Sequence, residues 1–166
     1  MKRKIRFGDH RYHGQTRLFS KIPHGYGKMT FPNGNVYEGQ WQDGKCTGHG
    51  VCRFADGSIH EGQWLASKRH GKGKATYPNG DVFEGDWYDD LPIGLFLHRF
   101  ADGGFFQCRM KTGIVCGYGT LETANGDFYE GEWLDKDTAK DVKKTAANGT
   151  VTYGRIEKSK FIADEE

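Results

Sequence analysis

Glu38, Glu61, Glu84 and Glu130 each sit in the same short phrase: an aromatic residue (His60 in one copy), then Glu-Gly-x-Trp, recurring at multiples of 23 residues. Carboxylates are the groups of general acid-base catalysis, and a pair about 6.5–9.5 Å apart marks an inverting glycosidase. Two strands per repeat would set successive copies about 10 Å apart, from a strand spacing of about 4.8 Å. A residue present in nearly every unit, however, serves the repeat, and special chemistry belongs where the pattern breaks. These glutamates are therefore expected to hold turn or strand backbone groups of the neighbouring hairpin.

The other reactive side chains are scattered. His24 and His70 share the position before a Gly-x-Gly, His49 lies inside one, and His60 replaces the usual tyrosine. A metal site or nucleophile needs a second and third group clustered with the first, and the spacing supplies none, so packing or exposure is expected for each. Cys46, Cys52, Cys108 and Cys116 form no C-x-x-C pair, which excludes a zinc or disulfide framework and fits a reducing compartment. The Gly-x-Gly motifs lack the Lys-Ser/Thr and following helix of a phosphate loop. The Asn148-Gly149-Thr150 acceptor pattern sits in a recurrent turn slot and is discounted. No catalytic residue, metal or cofactor is expected, and the chain reads as no enzyme.

The elements that position these residues are legible from two markers. Asn33-Gly34, Asp56-Gly57, Asn79-Gly80, Asp102-Gly103, Asn125-Gly126 and Asn148-Gly149 recur every 23 residues, and such dipeptides signal hairpin turns in which both residues accept positive φ. The phrase with tryptophan follows each turn in the outgoing strand, and Gly25-Tyr26-Gly27 and its equivalents precede it in the incoming one. Each unit is thus a β-hairpin that buries its apolar face only by stacking on its neighbours. Glycine within a strand is weakening unless its missing side chain leaves space, here for the rings of neighbouring hairpins. Glycine fills 25 of 166 positions, about twice the usual share, and the apolar content is largely aromatic. The length allows five or so units with no room for an appended catalytic domain.

Tyr37-Glu38-Gly39-Gln40-Trp41, followed by Asp43-Gly44-Lys45 and a Gly-x-Gly, resembles the MORN (membrane occupation and recognition nexus) repeat, from about His24 to Trp133. The resemblance implies an all-β fold: an elongated single-layer antiparallel sheet of stacked 23-residue hairpins with an aromatic-lined groove. It further implies a scaffold, with some members gripping a partner's helix, and a cytoplasmic place in a cytoskeletal or ciliary assembly. Three segments are expected: a basic N-terminal cap over 1–23, the array over 24–134 with its fourth hairpin degenerate, and a degenerate terminal repeat with an acidic tail over 135–166. Within the last, 135–147 leaves the strand pattern and reads as a loop or helical turn.

Recognition is expected along the aromatic columns, because a single-layer sheet cannot cover both faces of its own rings. The expected partner-binding residues are Tyr37, Trp41, Trp64, Phe83, Trp87, Phe106, Tyr129 and Trp133. They are joined by Leu95, Phe96 and Met110 in the fourth unit, where Phe96 replaces a glycine and no tryptophan is present. That apolar stretch reads equally as a contact patch or as a thicker core. The partner would be a protein helix or extended segment, with homo-oligomers allowed and nucleic acid disfavoured by the net charge of +2. Residues 1–22 carry seven Lys or Arg against one acid. They suggest the alternative of a membrane-proximal tether that binds anionic phospholipid through Lys2, Arg3, Lys4, Arg6 and Arg11. No apolar run is long enough to span a bilayer.

Overall fold

The computed structural model describes residues 2–164. Glu165 and Glu166, the end of the acidic tail, lie outside the described residues. Among the described residues all regular structure is strand: an open antiparallel sheet whose strand order is the order of the chain. Two compact units divide it, one of Met1–Pro78 with Trp87–Asp90, the other of Asn79–Asp86 with Leu91–Glu166. Unit 1 contains β1 (Lys2–Phe7), β2 (His10–Thr16), β3 (Pro23–Thr30), β4 (Val36–Gln42), β5 (Lys45–Arg53), β6 (Ile59–Leu65) and β7 (Lys68–Thr76). β8 (Val82–Tyr88) gives its last two residues to unit 1 and the rest to unit 2. Unit 2 continues with β9 (Leu91–Arg99), β10 (Phe105–Lys111), β11 (Ile114–Glu122), β12 (Phe128–Trp133), β13 (Ala139–Thr145), β14 (Val151–Glu157) and β15 (Lys160–Ala163).

The Asn-Gly and Asp-Gly turns occur where the sequence places them, with a different geometry. Only the glycine has positive φ, as at Gly34 (89°). The Gly34 N–H donates to the Phe31 carbonyl (3.0 Å) and the Phe31 N–H to that of Asn35 (2.8 Å), a three-residue loop ending in an αL glycine. The Asn or Asp instead folds its side chain onto the turn: Asn33 Oδ1 accepts from the Asn35 N–H, and Asp56 Oδ1 from that of Ser58. The turns with two positive-φ residues lie at the opposite hairpin ends, at Asp43-Gly44, Ala66-Ser67, Asp89-Asp90 and Thr112-Gly113. Each is fastened one hairpin back. The Gly44 N–H donates to the Pro23 carbonyl, Ser67 to Cys46, Asp90 to Arg69 and Gly113 to Pro92, at 2.9–3.1 Å.

In alternate hairpins the residue after the turn glycine provides a second fastening. Asn35 Oδ1 accepts from the Ala55 N–H, Asp81 from Ala101 and Asp127 from Ala147, all at 3.0–3.1 Å. In the intervening hairpins the equivalents of the acceptor are Ser58 and Gly104. The residue facing Ser58 in this scheme is Pro78, which has no N–H to offer.

The two glycines of Gly-x-Gly serve different ends. The first is a bulge: Gly48 takes φ 55° where the β4–β5 register shifts, as glycine-led bulges do. The second leaves space. Gly14, Gly27, Gly39, Gly50, Gly62 and Gly73 stand opposite one another in register across unit 1. One ring covers each successive pair of this bare stripe: Tyr12 over Gly14 and Gly27, Tyr37 over Gly39 and Gly50, His60 over Gly62 and Gly73. A Cβ on Gly50 would meet the Tyr37 ring at 2.3–2.7 Å. Gly50→Ala is therefore expected to destabilise the protein by about 1–3 kcal/mol, read as a lowered urea midpoint; an unchanged midpoint would mean the ring does not seat on the glycine.

The tryptophans wedge between these rings. Edge-to-face contacts run Tyr12–Trp41 (5.6 Å), Trp41–Tyr37 (5.1 Å), Tyr37–Trp64 (5.3 Å), Trp64–His60 (5.3 Å) and His60–Trp87 (5.1 Å). Each such pair is worth about 0.5–1.5 kcal/mol beyond area burial. The indole N–H groups of Trp41, Trp64 and Trp87 donate to the carbonyls of Gly27, Gly50 and Gly73. In unit 2 the Phe96 ring lies on Gly85 opposite Cys108, filling the space the glycines leave elsewhere. Residues 139–145, expected as loop or helix, form β13. Lys140, Lys143 and Lys144 there pair with Glu132, Glu130 and Asp127 at 3.1, 3.4 and 2.8 Å. Cross-strand charge pairs thus replace apolar alternation.

Candidate interaction grooves

The ring ladder forms the floor of a groove in unit 1, about 820 Å³ in volume. Tyr37, Trp41 and Trp64 are exposed by only 1, 3 and 8%, so they shape the floor and offer little contact area. The walls come from Phe7, Phe31, Phe54 and Tyr77. Phe31 and Phe54 are half-buried against the ladder; Phe31, Phe54 and Tyr77 hold the aromatic position before successive turns. That column was visible in the sequence, but as hairpin punctuation. Arg69 closes one side. Its guanidinium lies 4.1 Å from the Trp87 ring, and its Nε and a terminal nitrogen donate to Asp90 at 3.2 and 2.8 Å. Burial pushes the Cys46 and Cys52 thiols of this groove up to about 12 and 11, keeping both protonated and weakly nucleophilic at neutral pH.

Unit 2 has its own depression of about 620 Å³, whose lining includes Phe83, Phe96, Phe106, Met110 and Trp133. Phe96 and Phe106 are buried within it, whereas Leu91 and Leu95 of the fourth hairpin's apolar run are exposed. His98, not singled out by the sequence, stacks on Phe83 at 3.8 Å and meets Asp81 at 3.1 Å. Burial raises the Cys108 thiol to about 11. The Trp133 indole N–H is buried without an acceptor, unlike Trp41, Trp64 and Trp87.

The remaining expected residues are placed elsewhere. Leu95 is 56% exposed on the face opposite Phe96, because successive strand residues alternate sides; it belongs to neither groove. Tyr129 packs against Phe161 beneath Lys144. Glu38, Glu61 and Glu130 also lie on the outer face, where they meet side chains: Glu38 meets Tyr26 and Lys28, Glu61 meets His49, and Glu130 meets Tyr118 and Lys143. Turn fastening falls to Asn35, Asp81 and Asp127. His24 and His70 stand 3.6 and 4.0 Å from Asp43 and Asp89. Among the described residues no three His, Cys, Asp or Glu side chains are grouped as metal ligands, and no helix is long and apolar enough to cross a membrane. On β1, Lys2, Lys4 and Arg6 share the outer face, whereas Arg3 turns to the other side and donates to the Ser20 carbonyl at 3.4 Å.

Comparison with known proteins gives one family and one fold. Residues 21–36, 37–59 and 60–82 match the MORN repeat. No curated protein matches the chain. Among solved structures, the TCP domain of SAS-4 (dCPAP) from Drosophila melanogaster, in complex with a proline-rich motif of Ana2 (dSTIL), is 18% identical with a TM-score of 0.53, over 92% of this chain and 77% of that one. The TCP10 domain of Danio rerio CPAP with a STIL peptide is 16% identical, over 81% and 66% of the two chains, with a TM-score of 0.35. The CPAP G-box domain is also 16% identical, over 92% and 97%, with a TM-score of 0.39. The first likeness concerns the fold alone, and the other two scores are too low to establish even that.

Proposed function

From the premise that this chain carries MORN repeats over residues 21–82, we propose that it is a non-enzymatic scaffold that takes an extended segment of a partner protein into the unit 1 groove. The observation that carries this reading is the groove itself: a fixed ring floor with half-exposed aromatic walls at Phe31, Phe54 and Tyr77. Aromatic-walled grooves suit a polyproline-type segment, which is already extended and loses little entropy on binding. The Drosophila domain of related fold, solved with a proline-rich motif, supports that choice over a helix. The buried, protonated cysteines favour binding over catalysis. The MORN character supports a place within a cytoskeletal or ciliary assembly of the cytoplasm.

The test is fluorescence anisotropy with a synthetic Pro-x-x-Pro peptide and a helical peptide of equal length. Phe31→Ser/Phe54→Ser is expected to weaken the proline-rich peptide at least about tenfold, the loss of one to two aromatic anchors, while the chain still melts cooperatively. Unchanged binding in that variant, or preference for the helical peptide, would overturn the reading.

A further inference from the structure

The outer face of the first three strands places basic side chains directly opposite one another. Arg6 faces Arg11, and Lys4 faces His13, which in turn faces Lys28. The like-charged Arg6–Arg11 pair is destabilising. The side chains of Lys4, Arg6, Arg11, His13 and Lys28 surround a shallow depression of about 520 Å³. Lys28 has Glu38 at 3.5 Å; among the described residues no acid is ion-paired with Lys2, Lys4, Arg6 or Arg11.

Among the described residues β1 pairs with β2 alone, and alternate N–H and C=O groups on its other side point away from β2. Its cations alternate with Ile5 and Phe7, which pack on the other face against the ladder. A sheet edge with cations that lack an acidic partner on one face, and with Arg3, Ile5 and Phe7 on the other, has a specific complement.

We propose that β1 is a docking strand for an extended acidic segment of a partner protein. The segment adds to the free edge by main-chain hydrogen bonds, sets its carboxylates beside Lys2, Lys4 and Arg6, and turns its alternate apolar residues toward the side of Ile5 and Phe7. Each cationic row then gains an opposite charge at its end, offsetting the repulsion within it. The same cations repel a second copy of β1, so the edge discriminates among strands. A bilayer would use the charge but not the edge. This site adjoins the groove at Phe7, but its edge and its cations lie outside the groove lining.

The probe is a soluble peptide of alternating Glu and Val, with a control N-methylated at alternate residues so that one edge cannot hydrogen-bond. For the full chain we expect peptide binding that slows hydrogen exchange in β1. Lys4→Glu/Arg6→Glu should weaken it at least about tenfold, as loss of two charge pairs would. Arg6→Glu alone should leave the fold intact and raise the melting temperature by about 2 °C through relief of the Arg6–Arg11 repulsion. Equal binding of the N-methylated peptide, insensitivity to charge reversal, or no binding would overturn the proposal. So would capture by phosphatidylserine vesicles without peptide binding, which would assign the face to lipid.

Discussion

Trp64→Ala is expected to lower stability by about 3–5 kcal/mol, the range for deleting a buried aromatic side chain. Its ring is the wedge between Tyr37 and His60, at 5.3 Å from each, and its N–H satisfies the Gly50 carbonyl at 3.1 Å. The substitution opens a cavity, removes two ring contacts and breaks the hydrogen bond to the Gly50 carbonyl. Trp64→Phe keeps most of the ring and loses the hydrogen bond, so its cost should be smaller, about 1–2 kcal/mol. Urea denaturation of the full chain followed by far-UV circular dichroism reads both. If Trp64→Ala unfolded at the wild-type midpoint, the ladder could not be what holds unit 1 together. The size of this effect also makes Trp64 and Trp87 poor probes of binding, a task better given to the groove walls.

The second large effect is a dependence on pH carried by His60. Where Tyr37 donates its hydroxyl to the Gln40 carbonyl at 3.1 Å, the shorter imidazole is 1% exposed with neither nitrogen bonded. Burial first, and the Arg69 charge second, lower its pKa to about 4 against an opposing influence of Asp90. The unfolded chain therefore takes up a proton near pH 6.5 that the folded chain refuses until about pH 4. Stability is complete above pH 6.5 and falls through that window, by about 3 kcal/mol at its lower end. Asp56 and Asp127 are held below the usual carboxylate range by Ser58 and by Lys144, so their contributions fade at lower pH. His60→Tyr should abolish the loss between pH 6.5 and 4 while keeping the ladder. Parallel decline of both proteins across that window, measured by urea midpoints, would rule His60 out as its source.

Sequence and structure agree wherever one residue type has one physical use. Tryptophan at a fixed phase identified the ladder, and Asn-Gly or Asp-Gly located six of the long turns, though not those over 17–22 and 134–138. Agreement fails where one residue type has two uses. The two glycines of Gly-x-Gly look alike in sequence, yet Gly48 is a bulge and Gly50 a seat for Tyr37. The turn asparagines read as positive-φ residues, whereas Asn33 acts through its side chain. Glu38 resembles a turn fastener because it recurs, but strand alternation sends it to the outer face, and fastening fell to Asn35, two residues past the Asn of its turn. For the candidate groove, the floor was legible and the walls were not. Phe31 and Phe54 were conspicuous as residues before turns, but only the twist and bulge of the strands bring them around the ladder. The face of Leu95 was not legible, because an apolar run gives no alternation from which to read it.

The fastening of turns by Asn35, Asp81 and Asp127 gives the chain a second rhythm. Shape repeats every 23 residues, but this bond recurs only at every other hairpin, and at Ser58 the shortened acceptor coincides with a proline in the donor position. Hairpins therefore come in two alternating kinds, and the smallest segment that reproduces both is a pair. An array lengthened or shortened by pairs keeps its fasteners in phase; a change by one hairpin sets two of the same kind side by side. The natural module of this protein is the doublet.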